Sequence, residues 1–243
     1  MKHRIRQTLL LFSASVTALQ TARYSAAYGA EVTAHVQIEH AAKEAKTRMA
    51  DHSYVVLWLI PGAGNDPELP IAQPVTHYRL LQHNKEFSPH LLVVPVGSNV
   101  EFPNRDPFFH NVFSWFNGKR FDLGLYESGS SKTVRFDHEG ISYIFCNIHP
   151  EMSAVVIALR TPYFGVADSE GNVAIRDVPP GNYELSVWAE GGDPDELKKL
   201  ARHVQVASGP QDLGLLHIDT DLQRMKHKNK FGEEYAPPEP SAY

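Results

Sequence analysis

The sequence predicts an all-β protein: a sandwich or small barrel followed by a second, smaller β-sandwich. Three observations carry this. Short apolar or alternating runs recur at the spacing of sandwich strands. Gly97-Ser98, Pro103-Asn104, Asn117-Gly118 and Glu139-Gly140 punctuate them as turns. Helical patterning is confined to 40–52 and 195–203, both short.

Taken in order, Glu31 to Glu39 alternates loosely and Tyr54 to Ile60 is a run of the buried-strand type. Tyr78 to Leu81 leads into His90 to Val96. Strands are then expected at Val100 to Phe102, Asn111 to Trp115, Lys132 to Phe136, Ile141 to Cys146 and Ala154 to Leu159. After Arg160 the texture changes, which places a boundary near 161. Tyr163 to Val166, Val173 to Ile175, Tyr183 to Trp188, His203 to Val206 and Leu213 to Ile218 form the second unit. Residues 31–75 are read as an N-terminal β extension, belonging either to the second unit or to the first sheet. Residues 219–243 join a basic cluster to an acidic, proline-rich end without apolar period, the composition of a flexible tail.

The N-terminus reads as an export signal over residues 1–30: Lys2, Arg4 and Arg6, an apolar stretch from Leu9 to Leu19, then small residues. That stretch is too short to span a bilayer, which takes about 20 residues. The expectation is a periplasmic or secreted protein without a membrane span. Removing residues 1–30 takes away Lys2, Arg4, Arg6 and Arg23 and no acid, so the formal charge moves from −5 to −9. An acidic surface argues against nucleic acid as a partner. The chain holds one cysteine, so no internal disulfide is possible, and an exported protein must bury or bind such a thiol.

That cysteine stands in Cys146-Asn147-Ile148-His149-Pro150-Glu151-Met152. In a strand from Ile141, alternate side chains face opposite ways, so Ile144 and Cys146 share one face and Tyr143 and Phe145 the other. The thiol then sits at a strand end, with His149 and Met152 in the following loop. Asp106-Pro107-Phe108-Phe109-His110-Asn111 offers a second imidazole 36 residues earlier. Two imidazoles and a thiolate in a plane, with a weak thioether, are the donor set of a blue-copper site. Thiolate and thioether suit Cu(I), and imidazole suits both oxidation states. Protein atoms fill the main positions, which favours electron transfer over catalysis. The thioether argues against zinc. His35, His40, His77, His83, His90, His138 and His217 are given ordinary surface or structural roles.

Residues 76–160 resemble a cupredoxin of the plastocyanin and amicyanin type. The likeness runs through Phe87-Ser88-Pro89, Val94-Pro95-Val96-Gly97, Val100-Glu101-Phe102-Pro103-Asn104, Phe109-His110-Asn111-Val112 and Tyr143-Ile144-Phe145-Cys146. The short Cys-x2-His-x2-Met loop with proline after the histidine is similar to amicyanin. The resemblance implies a Greek-key sandwich holding one copper ion on His110, Cys146, His149 and Met152. It implies that the Asn111 side chain ties the two ligand segments together. Phe145 stands where plastocyanins usually carry tyrosine. It further implies that a redox partner, such as a cytochrome c, a dehydrogenase or an oxidase subunit, docks near His149 on an apolar patch drawn from Pro107, Phe108, Phe109 and Pro150. Residues 161–218 resemble the carboxypeptidase-regulatory-like, transthyretin-like β-sandwich through Asp168-x2-Gly171, Val178-Pro179-Pro180-Gly181-x-Tyr183 and Val187-Trp188, motifs that name a fold and not an activity.

Absences narrow the function. No two histidines are separated by one residue, so the His-x-His pairs of multicopper oxidases are missing. A dinuclear oxidase-type centre needs two cysteines. A catalytic copper of the nitrite reductase kind needs a second cupredoxin domain. The reading is a mononuclear one-electron carrier and not an enzyme. The rival is a non-redox copper carrier or an interaction module of the cell envelope.

Overall fold

The computed structural model describes residues 29–40, 52, 54–62, 77–115 and 118–235. Nearly all of the expected export signal, the interior of the helix expected over 40–52 and the end of the tail lie outside the described residues. Two strands come first, β1 (Ala30–His40) and β2 (Val55–Pro61). Ten follow: β3 (Tyr78–Arg79), β4 (Leu81–His83), β5 (Glu86–Ser88), β6 (Leu91–Pro95), β7 (Ser98–Pro103), β8 (His110–Ser114), β9 (Phe121–Tyr126), β10 (Ser131–Phe136), β11 (Gly140–Cys146) and β12 (Ser153–Leu159). The remainder are β13 (Phe164–Val166), β14 (Asn172–Val178), β15 (Gly181–Ala189), a helix α1 (Pro194–Lys199), β16 (Arg202–Val206) and β17 (Gln211–Thr220). Among the described residues no helix is long and apolar enough to cross a membrane.

Four principal sheets stack on three apolar seams. In the first unit, the sheet β10-β7-β3 faces the sheet β6-β12-β11-β8-β9, and Val100, Phe102, Phe136, Ile144, Cys146, Met152 and Val156 fill the space between. In the second, the sheet β14-β1-β17 faces the sheet β13-β2-β15-β16 over Val36, Leu57, Ile175, Tyr183 and Leu185. Of the two placements open to the N-terminal extension, residues 30–40 and 55–61 take the second unit. β1 pairs with β14 and β17, and β2 with β13 and β15, so both belong to the second unit.

The third seam joins the units. Val155, Ile157 and Leu159 on the outer face of β12 pack with Val56 of β2 and Trp188 of β15. This explains the unbroken apolar run of β12: its inner face, Ala154, Val156 and Ala158, lines the first core while its outer face lines the joint. Trp188 Nε1 donates to Tyr143 Oη at 3.3 Å across the joint, and the His90 ring lies between the Ser153 carbonyl (3.0 Å) and the Glu190 carboxylate (2.5 Å).

Two strands escape the sequence reading. β9 contains Gly124 at φ +65, and its pairing with β8 shifts register between Asn111 and Phe113, so a bulge interrupts the alternation that would mark it. β5 is the short return of a hairpin whose turn residues, Asn84 and Lys85, both sit at positive φ (55 and 56). The tail expected over 219–243 makes specific contacts over its first part: Asp221 and Arg224, flanking and within a 3-10 turn at Leu222–Met225, touch the second unit, and His227, Lys230 and Tyr235 touch the first.

Candidate metal centre

His110 is the first residue of β8 and Cys146 the last of β11, and these strands are hydrogen-bonded neighbours with Cys146 opposite Val112. Period two turns Cys146 inward with Ile144, as the sequence predicts, while Phe145 faces the other way. The loop after Cys146 folds back at once: Met152 N donates to the His149 carbonyl (3.1 Å), and Cys146 N to the Met152 carbonyl (3.3 Å). The loop thus returns into β12 with Met152 fully buried in the same core as Cys146.

Three donor atoms meet as a result. Cys146 Sγ lies 3.7 Å from His110 Nδ1 and 3.6 Å from His149 Nδ1, and the two nitrogens are 3.1 Å apart. The point equidistant from all three is about 2 Å from each, the length of a bond from imidazole nitrogen to a first-row metal. His110 and Cys146 are fully buried and His149 is partly exposed, so the group opens to solvent only on the His149 side. The donor set, two imidazoles and one thiol with a buried thioether in the same core, fits a copper ion.

Electrostatics agree with a cation-binding role. Burial pushes the Cys146 thiol up, while backbone N–H groups of Ile148, Asn111 and His149 aimed at the sulfur act the other way. A buried thiol of this kind ionises when a metal supplies the compensating charge. Burial, and next the neighbouring His110, push His149 below the ordinary imidazole range, which leaves its ring neutral and its lone pair available.

Asp106 completes the group and was not read from the sequence. Its carboxylate is almost fully buried and accepts from His110 Nε2 at 2.8 Å, which leaves His110 Nδ1 as the lone-pair nitrogen facing the sulfur. The same carboxylate accepts Asn84 N (2.6 Å) and Lys85 N (3.0 Å) from the β4–β5 turn. Burial raises the Asp106 carboxyl, but these three bonds outweigh it and hold the group below its ordinary value. The left-handed turn is thereby tied to a histidine of the centre. The available signal was an Asp four residues before His110, on the segment that carries it.

The structure places the remaining site residues as follows. Asn111 does not link the two segments by its side chain. Its Nδ2 donates to Asp122 Oδ1 (2.7 Å), and its main-chain carbonyl, accepting from Asn147 N at 3.2 Å, makes the tie. Phe145 is buried beneath the ring of His227, with centroids 3.9 Å apart and 25° between planes. Phe108 packs edge-on against His110 (5.3 Å) and at a tilt against His149 (5.4 Å). Pro107, Phe109 and Pro150 are exposed, and so is Ile148, which the sequence reading did not include.

No family profile matches the chain, and no curated protein matches it. Among solved structures, a copper-containing nitrite reductase (NirK) from Thermus scotoductus SA-01 is 24% identical, with a TM-score of 0.33, over 34% of this chain and 22% of its own. This chain therefore spans about a fifth of that enzyme's length. A purple cupredoxin from Nitrosopumilus maritimus is 24% identical over 34% of this chain and 99% of its own, with a TM-score of 0.31. An amicyanin mutant in its Cu(I) form is 18% identical over 34% of this chain and 82% of its own, with a TM-score of 0.31.

Proposed function

We propose that this chain is an exported, mononuclear type 1 copper protein that carries one electron at a time and is not an enzyme. The observation that carries the reading is the triangle of Cys146 Sγ, His110 Nδ1 and His149 Nδ1, with sides of 3.1 to 3.7 Å, assembled from two segments 36 residues apart. Copper held there would supply a Cu(I)/Cu(II) couple. Cys146 would bind as thiolate, His110 and His149 through Nδ1, and Met152 as the weak thioether partner. Asp106 holds the His110 tautomer, and Phe108 packs on both rings. A redox partner, a cytochrome c, dehydrogenase or oxidase subunit, docks at His149, where Phe109, Ile148 and Pro150 are exposed. The second β-sandwich, with its carboxypeptidase-regulatory-like sequence motifs, serves as a scaffold.

The test is optical. Protein loaded with Cu(II) should show an intense sulfur-to-copper band that bleaches reversibly on reduction, and Cys146→Ser should abolish it. A colourless Cu(II) complex would end the electron-carrier reading. Met152→Gln should leave copper bound and lower the reduction potential, because a harder ligand favours Cu(II).

A further inference from the structure

The structure assigns Tyr235 and His227 a task that the tail's composition hides: they are positioning residues that clamp the loop carrying Cys146, His149 and Met152. The inference rests on the copper reading for its purpose.

The tail is first fixed to the second unit. Asp221 N donates to the Gly191 carbonyl at 2.9 Å, the Asp221 side chain caps the 3-10 turn at Gln223 N, and Arg224 pairs with Asp193 at 2.9 Å. From there it crosses to the first unit and touches the ligand loop at successive points. The His227 ring stacks on Phe145 and also faces the Pro150 carbonyl. Tyr235 Oη donates to the Cys146 carbonyl at 2.8 Å and, its one proton so used, accepts from His227 Nδ1 at 3.1 Å. Lys230 N donates to Asn147 Oδ1 at 2.9 Å, while its ammonium pairs with Asp122 at 2.8 Å. Asp122 in turn holds Asn111, the neighbour of His110.

Beyond the anchor at Gly191 and Asp193, the contacts fall on the loop after Cys146, on Phe145 just before it, or on the support of the other ligand segment. Packing for burial alone would place apolar side chains on an apolar face. Here the large apolar residue of the segment, Phe231, is 71% exposed, and polar groups with fixed direction make the contacts. A loop held at Phe145, Cys146, Asn147 and Pro150 has little freedom to move its sulfur. That is the requirement of a site whose geometry must serve two oxidation states.

Hydrogen exchange in the metal-free, full-length protein tests this without relying on copper. Amides of Asn147, His149 and Met152 are followed by NMR in the unaltered chain, in Tyr235→Phe and in His227→Ala. Exchange should quicken about fivefold in Tyr235→Phe, the factor that one hydrogen bond of ordinary net strength supplies, and further in His227→Ala, with strands of the second unit unaffected. His227→Phe, which keeps the stack on Phe145, should recover part of the loss. In the copper-loaded proteins the thiolate band should shift or broaden in the same order. Exchange within twofold of the unaltered chain in both variants overturns the clamp, as does an identical band in all loaded proteins. Faster exchange in a chain that takes no copper upholds the clamp and removes only the copper reading.

Discussion

Asp106→Asn is the substitution whose cost the geometry fixes most closely. The carboxylate is buried and accepts three N–H bonds, one on Oδ1 and two on Oδ2. The amide has the same shape but one accepting oxygen. Placed to keep Lys85 N and His110 Nε2, it turns its NH2 towards Asn84 N, leaving a buried donor unpaired beside another donor. That orphan costs about 1–3 kcal/mol. The two surviving bonds lose their charge assistance, which had made them about twice as strong as neutral ones. The sum is about 3 kcal/mol. For units of this size unfolding together, that is a fall in Tm of roughly 6–12 °C. Scanning calorimetry measures it, and 15N shifts of the His110 ring show whether Nδ1 still carries the lone pair. A Tm within about 1 °C of the unaltered protein and an unchanged tautomer would refute the role given to Asp106.

Three further outcomes follow from particular contacts. Gly171 sits at φ +88, where a Cβ would lie 2.2 Å from the Val36 carbonyl oxygen, so Gly171→Ala should destabilise the second unit by at least about 2 kcal/mol in urea unfolding. Trp188→Ala removes the centre of the joint and the bond to Tyr143, and should split one melting transition into two while costing about 3–5 kcal/mol; a single unshifted transition would contradict the joint. Burial raises the Asp122 carboxyl, but bonds from Lys230, Asn111 and Gly124 outweigh it and lower the group below 3.8, so its stabilisation is complete above that pH and is lost as pH falls through the folded value. Asp122→Asn should therefore flatten the acid limb of a stability profile below about pH 4, with no change in slope above pH 6.

The strands and the site were legible to different depths. Period two placed Cys146 inward and Phe145 outward, because that alternation is a property of one strand. It did not reveal β9, where Gly124 breaks the alternation, or the parallel pairing of β1 with β17, which joins residues 180 apart in sequence through contacts that neither strand states alone. That His110, Cys146 and His149 form one group is legible because soft and borderline donors in that spacing have few other uses. Asp106 was passed over because its role depends on two turn amides from residues 84 and 85, which chain proximity does not bring near. The contacts of the tail are hidden from the sequence for a related reason. A run of lysines with proline lacks apolar period, and what holds it are single directed bonds to Cys146, Asn147 and Asp122.

The position of β12 helps to fix the donor triangle. The loop after Cys146 ends at Met152 and passes directly into a strand whose two faces are both buried, one against the first core and one against the second unit. Sliding that strand by one residue would exchange Val155, Ile157 and Leu159 with Ala154, Val156 and Ala158, thrusting large side chains into the space that alanines leave for the core. Its register is therefore fixed from both sides, and with it the point at which the loop closes. The β11–β8 pairing fixes the other end at Cys146, and Asp106 fixes the rotation of His110. On this view the second sandwich acts on the candidate centre mechanically: by covering the outer face of β12 and anchoring the tail at Asp193 and Gly191, it holds the loop after Cys146 at both its exit and its flank.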